Sequence, residues 1–426
     1  MTERRLALVV LLVAGSVAVN LLLWRLGATT TLRYTRMLVN TQASADSWRP
    51  MARALAAWDR GEPIYRTVFF RGREKFQYPP SSLLLPLAVR QNPAADLPLF
   101  RALNRIGLWL TVLTACSVAL LAAMTWRNDP TVAGLARLAA ATLLVWLSTF
   151  LFFPVVISYV LGQIQTVITA AVAVALVAWL RRRDDLAGVA VGIAALVKPH
   201  FALLVLWGAT RGRWRFVAAS GMTVAAGTIL AMAVFGPAEY VDYVRALGYM
   251  GARGEALYAN QTVNGLVNRL VQPPEHRGWD FHSYPPPHPL VLAATATSSL
   301  LLLAGALWAP RRLGFAGTPL DLAIMWLTVI MASPIAWDHH YGGLLPILVA
   351  GVGIAWRTSA GWAAPALAAC ALLTGNLWEP LIDVDAPPWN IVQSYVLAGS
   401  ILTLGTLYRV GARAGSGPAA YLRETV

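Results

Sequence analysis

Apolar stretches of roughly membrane-crossing length recur along the whole chain with short polar breaks between them. They predict helices near 6–26, 101–124, 133–153, 163–180, 186–197, 200–210, 214–235, 289–308, 319–335, 341–356, 362–377 and 391–408. A bilayer core of about 30 Å takes about 20 apolar residues per helical crossing. The pattern therefore predicts an all-α polytopic membrane protein with about twelve transmembrane or re-entrant helices. One interval breaks the regular spacing. Arginine clusters at Arg181-Arg182-Arg183 and Arg211-Gly212-Arg213 place both of its ends on the same side, yet only 27 residues lie between Arg183 and Arg211. That is too short for two crossings, so a hairpin of short helices is expected. Its break falls at Pro199, which lacks an N–H and disfavours helix at the residue before it. Non-helical backbone at membrane depth is tolerated only against protein or a water-filled cavity, so Lys198 is expected to face an internal cavity.

Composition agrees with this reading and excludes a soluble multidomain protein: 57% of the 426 residues are hydrophobic and 13% charged, with a mean hydropathy of +0.57. The net charge of +14 would suggest nucleic acid in a soluble chain, but here the arginines stand at the ends of the apolar stretches and record topology. Arg4-Arg5 ahead of the first stretch, with no small-residue cleavage site behind it, point to an uncleaved first helix with a cytoplasmic N-terminus. The same rule makes the C-terminus cytoplasmic, giving one transmembrane domain over 1–410 and a tail over 411–426, loosely ordered beyond Arg413. On the other side lie Gly27 to about Gln91, Gly236 to His288, the turn around Trp337 to His340, and Trp378 to Pro388. Cys116 and Cys370 lie in apolar stretches without metal-ligand spacing and are read as packing residues. No internal repeat is visible, which weighs against inverted-repeat transporters.

Polar residues that look out of place gather on the side of the long segments. In the first of these, Asp46 precedes a helical pattern over Trp48 to Trp58, and Asp59 and Glu62 follow; taken alone, Asp46 reads first as a helix N-cap and second as a site carboxylate. Tyr78-Pro79-Pro80 forces an extended turn, and one or two surface helices are expected around it. "SPIAWDHHYGGLLP", Ser333 to Pro346, joins two helices through a Trp-Asp-His-His cluster. Adjacent histidines cannot point the same way, so one can face a cavity while the other meets the interface. Asp338, His339 and His340 could hold a metal, but no further ligand follows at usual spacing, and no metal is expected; such residues also serve as interfacial anchors. "YANQTVNGLVNRL", Tyr258 to Leu270, carries Asn260, Gln261, Asn264 and Asn268, amides suited to a polyhydroxylated ligand. His276, Trp279, His282 and Tyr284 follow in a proline-stiffened loop that either stacks sugars or covers a cavity.

Taken together these pieces resemble glycosyltransferase family 87, membrane transferases that use polyprenyl-phosphate sugars. The resemblance runs through Asp46 with Gly61 and Tyr65, Tyr78-Pro79-Pro80, "LGQIQ" from Leu161 to Gln165, "GIAALVKPHFALL", "NQTVNGL" and "SPIAWDHHYGGLLP", and so covers residues 46 to 346. It implies the C-type glycosyltransferase fold and an inverting transfer of a sugar, mannose by family frequency, to a lipid-linked or cell-envelope glycan at the outer face of the cytoplasmic membrane. It further implies Asp46 as general base, with Asp59 as the substitute because Pro50 departs from the family pattern, and His339 as a second catalytic group. Lys198, His340, Arg71 and Arg73 are then the donor-phosphate residues, and Tyr78, Gln163, Asn260, Gln261, Trp337 and Asp338 the sugar or acceptor residues. No cofactor is expected, the lipid-phosphate sugar being a substrate. All but two of the 34 basic residues are arginines, and the lysine at position 198 suits a compact charge beside a phosphate. A transporter or flippase of a lipid-linked saccharide is the competing reading; it calls for polar residues from face to face.

Overall fold

The computed structural model describes residues 3–93, 95–127, 130–280, 282–358 and 360–416. Every stretch expected to be helical is helical: Glu3–Arg25, Asp96–Trp126, Val132–Thr149, Gln165–Leu180, Asp184–Val197, Leu203–Thr210, Trp214–Phe235, Pro289–Arg312, Pro319–Met331, Leu344–Arg357, Ala363–Gly375 and Tyr395–Ser416. Among the described residues the only β-type pairing is one isolated antiparallel bridge between Asn260 and Trp337. Six helices among those residues are long and apolar enough to cross a membrane.

Burial sorts the helices into an outer and an inner set. The long Leu6–Arg25, Trp214–Phe235 and Pro289–Arg312 spans bury only 17%, 17% and 11% of their most apolar windows, so their sides are left for lipid. By contrast every residue of Pro319–Met331 is buried, as is every residue from Leu344 to Ala355. Short helices thus fill the middle together with Asp96–Trp126 and the last span, 50% and 56% buried, and the three weakly buried spans lie outside. This order follows from the chemistry of the chain ends: a helix that stops at mid-depth exposes unpaired carbonyls and amides, which only protein or water can satisfy.

The hairpin between the two arginine clusters has the expected form. Asp184–Val197 ends at Lys198, whose backbone is extended (φ −139°, ψ 104°), and a 3₁₀ turn over Pro199–Ala202 leads into Leu203–Thr210. Its two ends meet, Arg213 pairing with Asp184 at 3.7 Å.

Several boundaries differ from expectation. The stretch 133–153 stops at Thr149, and a separate, wholly buried helix, Phe153–Val160, follows; Pro154 starts it, within an apolar run too uniform to reveal the corner. The first long segment holds more helix than anticipated, with Thr31–Val39 as well as Trp48–Asp59. The last helix continues through Ser416, past the expected end at 408, and the residues after it, in the expected tail, lie outside the described ones. Cys370 is buried, but Cys116 faces outward and is not a packing residue; both are free thiols.

Arg211 does more than mark a helix end. It forms a fully buried pair with Asp321, side chains 2% and 0% exposed, through Nε to Oδ2 at 2.6 Å and a second bond to Oδ1 at 3.0 Å. Asp321 also accepts from the Trp207 indole at 3.1 Å and the Gly317 amide at 2.7 Å. Breaking such a pair leaves one charge buried alone, at a cost of about 3–5 kcal/mol. Asp321→Ala is therefore expected to lower the thermal midpoint of the detergent-solubilised protein markedly, and Arg211→Met combined with Asp321→Leu to recover most of the loss. An unchanged midpoint in Asp321→Ala would refute the clamp.

Candidate active site

The site is assembled by backbone pairing between distant segments. Gln261 N–H donates to the Ala336 carbonyl at 2.8 Å and Asp338 N–H to the Ala259 carbonyl at 2.9 Å, which joins the amide-rich segment to the Trp-Asp-His-His turn. Asn260 locks the joint: its amide donates to the Glu255 and Pro334 carbonyls at 3.0 and 3.1 Å, and its Oδ1 accepts from Ala336 N–H at 3.1 Å. Position 265 must be glycine here, because a Cβ would stand 2.1 Å from the Asn260 carbonyl oxygen. Gln261 is likewise committed, donating to the Tyr258 and Gln393 carbonyls, both at 2.7 Å. Arg269, 1% exposed, draws in the Leu257 and Asn260 carbonyls, both at 3.0 Å. Asn260 and Gln261, expected to bind sugar, are thus buried groups that hold backbone and do not line the cavity.

Asp46 is placed in the same manner. Ser44 N–H donates to the Val160 carbonyl at 2.7 Å, Asp46 N–H to Leu161 at 2.9 Å and Ser47 N–H to Gly162 at 3.3 Å. Gly162 has φ +61°, and a Cβ there would fall 2.1 Å from the Ser44 carbonyl oxygen, so only glycine permits the approach. The Ser47 hydroxyl donates to Gln163 Oε1 at 2.6 Å and lies 2.7 Å from the Tyr78 hydroxyl. Helix Trp48–Asp59 starts from Ser47 with no side-chain cap. Asp46 instead accepts from the Ser44 hydroxyl at 2.9 Å and makes no ion pair among the described residues. Burial pushes its carboxyl above the usual aspartate range, while the Ser44 hydroxyl and then the nearby His339 and Arg49 pull it back. Asp59 is spent in a two-point pair with Arg90 at 2.7 and 2.9 Å and does not line the cavity.

Asp46, Tyr78, Gln163, Trp337, Asp338 and His339 share one cavity of about 700 Å³. Lys198 does not line it. With His200 it borders a smaller, mostly apolar cavity of about 250 Å³, and Gln77 lies on the walls of both. His200 thus lines a cavity beside Lys198. The two adjacent histidines divide the spaces as their geometry requires. Their rings stand at 83°, with His339 facing Asp46's cavity and His340 turned to Lys198, Nε2 to Nζ 2.5 Å. Arg71 and Arg73 line neither cavity. Among the described residues no group of three or more His, Cys, Asp or Glu is placed to hold a metal ion.

Two groups absent from the sequence-based site complete it. Glu255, 3% exposed, accepts from Lys75 Nζ at 2.5 Å and from the Trp337 indole at 2.6 Å. Trp337 N–H donates to His340 Nδ1 at 3.0 Å. The only two lysines of the chain therefore stand at the ends of one line of polar contacts, Lys75, Glu255, Trp337, His340, Lys198. The rarity of lysine in an arginine-biased sequence was the signal that could have pointed to Lys75; a lone glutamate between Gly254 and Ala256 gave none for Glu255.

The chain is 28% identical over 369 residues, 83% of its length and 78% of the relative's, to the polyprenol-phosphate-mannose-dependent α-(1-2)-phosphatidylinositol mannoside mannosyltransferase of Mycobacterium tuberculosis. It is 26% identical to the protein of the same description from Mycolicibacterium smegmatis, over 76% of this chain and 73% of that one. To the polyprenol-phosphate-mannose-dependent α-(1-2)-phosphatidylinositol pentamannoside mannosyltransferase of M. smegmatis it is 29% identical, over 60% of each chain. Residues 76–336, more than half of the sequence, match glycosyltransferase family 87, a stretch that contains Lys198 and ends just short of the Asp338–His340 turn. On that match the protein is a membrane-embedded transferase that belongs to glycosyltransferase family 87.

Proposed function

We propose that the protein is an inverting glycosyltransferase that moves mannose from a polyprenyl-phosphate donor to a hydroxyl of an inositol glycolipid at the outer face of the cytoplasmic membrane. The names of its relatives support the donor and the acceptor class. The observation that carries the mechanism is Asp46, a carboxylate with no ion pair among the described residues, lining a roomy cavity that adjoins the one bordered by Lys198. Side is argued from charge: the arginine-rich breaks Arg181 to Arg183, Arg211 to Arg215 and Arg311-Arg312 mark the cytoplasmic face, and Asp46 and the His339 turn lie at the other ends of the helices.

The chemistry is one displacement. The acceptor hydroxyl gives its proton to Asp46 as its oxygen forms a bond to the anomeric carbon, and the bond from that carbon to the phosphate oxygen breaks. The electron pair leaves with the lipid phosphate. Inversion at that carbon means that an α product requires a β-linked donor. A carboxylate pushed above its usual range by burial is a better base, since efficiency peaks as the pKa nears the working pH. The leaving group needs positive charge rather than a second acid, and Lys198 supplies it as an ammonium turned to the phosphate; His340, whose Nδ1 accepts from the Trp337 amide and whose Nε2 therefore carries the hydrogen, is its neighbour and not its acceptor. The smaller cavity, walled by Leu203, Leu247, Leu303 and Val329, suits the isoprenoid end of the donor. Gln77, on both walls, stands where sugar and phosphate would meet. The reaction so written requires no metal. A conduit for lipid-linked saccharides finds no support in membership of a transferase family.

Asp46→Asn is expected to lower kcat about 10²–10⁴-fold with the donor KM nearly unchanged, measured as transfer of radiolabelled mannose from its polyprenyl phosphate to phosphatidylinositol mannoside. Persistent wild-type kcat would remove Asp46 as base. Because the base works ionised, kcat/KM should fall tenfold per pH unit below its pKa, with the acid limb above the ordinary aspartate range and absent in Asp46→Asn. Lys198→Met loses a charge-assisted bond of about 1.5–3 kcal/mol, about 10–150-fold in kcat/KM for the donor. Lys198→Arg should not restore it, because a planar fork does not fit the place of a compact ammonium; full activity in either variant would contradict the assignment.

A further inference from the structure

The wall of the larger cavity farthest from the Lys198 chamber in chemical character is aromatic and acidic. Trp279 is 39% exposed and meets Trp337 edge to face, ring centres 4.8 Å apart at 84°. Lys75 lies 4.2 Å from the Trp279 ring, and Glu255 ties that lysine to the Trp337 indole, so one buried carboxylate sets both rings. The same cavity is lined by Glu379 and Asp383, which form no ion pair among the described residues; one Glu379 oxygen accepts from the Thr29 amide and the other is left for a ligand. Of the cavity's cations, Lys75 is spent on Glu255 and Arg53 on Glu74, and Arg49 stands near Asp46. A phosphate at the aromatic wall would meet acids and a lysine already paired. Indole faces beside carboxylate acceptors suit an uncharged ring that presents C–H groups on one side and hydroxyl donors on another.

We infer that Trp279 and Trp337, with Glu379 and Asp383, form the subsite for a neutral polyol ring of the acceptor, a pyranose or cyclitol, and that the Lys75–Glu255 pair is its frame. The inference rests on the proposed transfer reaction for its role, but the binding site stands or falls separately. The acceptor's ring lies on the indoles with its hydroxyls donating to the two carboxylates, which leaves its reacting hydroxyl toward Asp46. Any anionic group the acceptor carries is left outside this wall. Glu255 acts through Trp337 and is a positioning residue.

Two measurements on the full-length protein in nanodiscs test the subsite. In the first, Trp279→Ala is expected to raise the KM for phosphatidylinositol mannoside at least tenfold while the KM for polyprenyl-phosphate mannose stays within twofold, and Trp279→Phe to recover most of the loss. Glu255→Ala should shift the acceptor KM in the same direction, with Glu255→Gln, which can still accept from the Trp337 indole, closer to wild type. In the second, saturation-transfer NMR with methyl α-mannoside reads binding without turnover, and the wild-type signal should be lost in Trp279→Ala and in the Glu379→Gln, Asp383→Asn double variant. An unchanged acceptor KM, an equal rise in both KM values, or a mannoside signal indifferent to these changes would overturn the subsite. Sugar binding in a wild type that transfers no mannose would instead sink the proposed reaction and leave the subsite in place.

Discussion

A peptide group at membrane depth must find its hydrogen bonds within the protein, and the architecture follows from that demand. Helices that stop at mid-depth leave open ends, so they are kept inside, packed against longer helices whose backbone is complete from face to face. The ends are then closed against one another. Val160, Leu161 and Gly162 carbonyls take the amides of Ser44, Asp46 and Ser47, and Ala259 and Ala336 carbonyls take those of Asp338 and Gln261. The cavity forms where these closures meet, because loops gathered to satisfy one another cannot pack as densely as helices. The residues proposed for chemistry are carried on the closures themselves.

This explains why so many polar side chains around the cavity never touch its contents. Asn260, Gln261 and Arg269 finish the hydrogen-bonding of carbonyls that no helix serves. Glu255 does related work with a charge, and its two partners come from segments about 80 and 180 residues away in the chain. The reach of that single carboxylate couples the aromatic wall of the large cavity to the turn whose last histidine meets Lys198. A small shift at one end has a physical route to the other through contacts of 2.5–3.0 Å.

The helices were legible because hydrophobic runs and arginine clusters report crossings directly, and the Lys198 break was legible because length and Pro199 left no alternative. Membership of a polyprenyl-phosphate-sugar family was also legible, through spaced motifs. What escaped has common causes. The corner before Phe153 lies within continuous apolar sequence, where nothing changes at the turn. Asn260 and Gln261, expected at the sugar, hold carbonyls, and an amide that binds a sugar and one that binds a carbonyl look alike in a sequence. Which histidine faces which cavity required the ring planes, and the engagement of Asp59 required Arg90, a partner 31 residues away. The separation of Lys198 from Asp46 into neighbouring cavities is a matter of three-dimensional partition, which no spacing along the chain encodes.

The attachment of Ser44 to Ser47 runs from main chain to main chain. Bonds of that kind are blind to residue type, and the Ser44 and Ser47 hydroxyls add side-chain bonds of their own, to the Leu161 carbonyl, to Gln163 Oε1 and from the Ile164 amide. At the position facing Ser44 the single hydrogen of glycine is all that fits. The cavity walls can therefore be rebuilt without touching this approach, whereas any side chain at position 162 would push the proposed base away from an intact cavity.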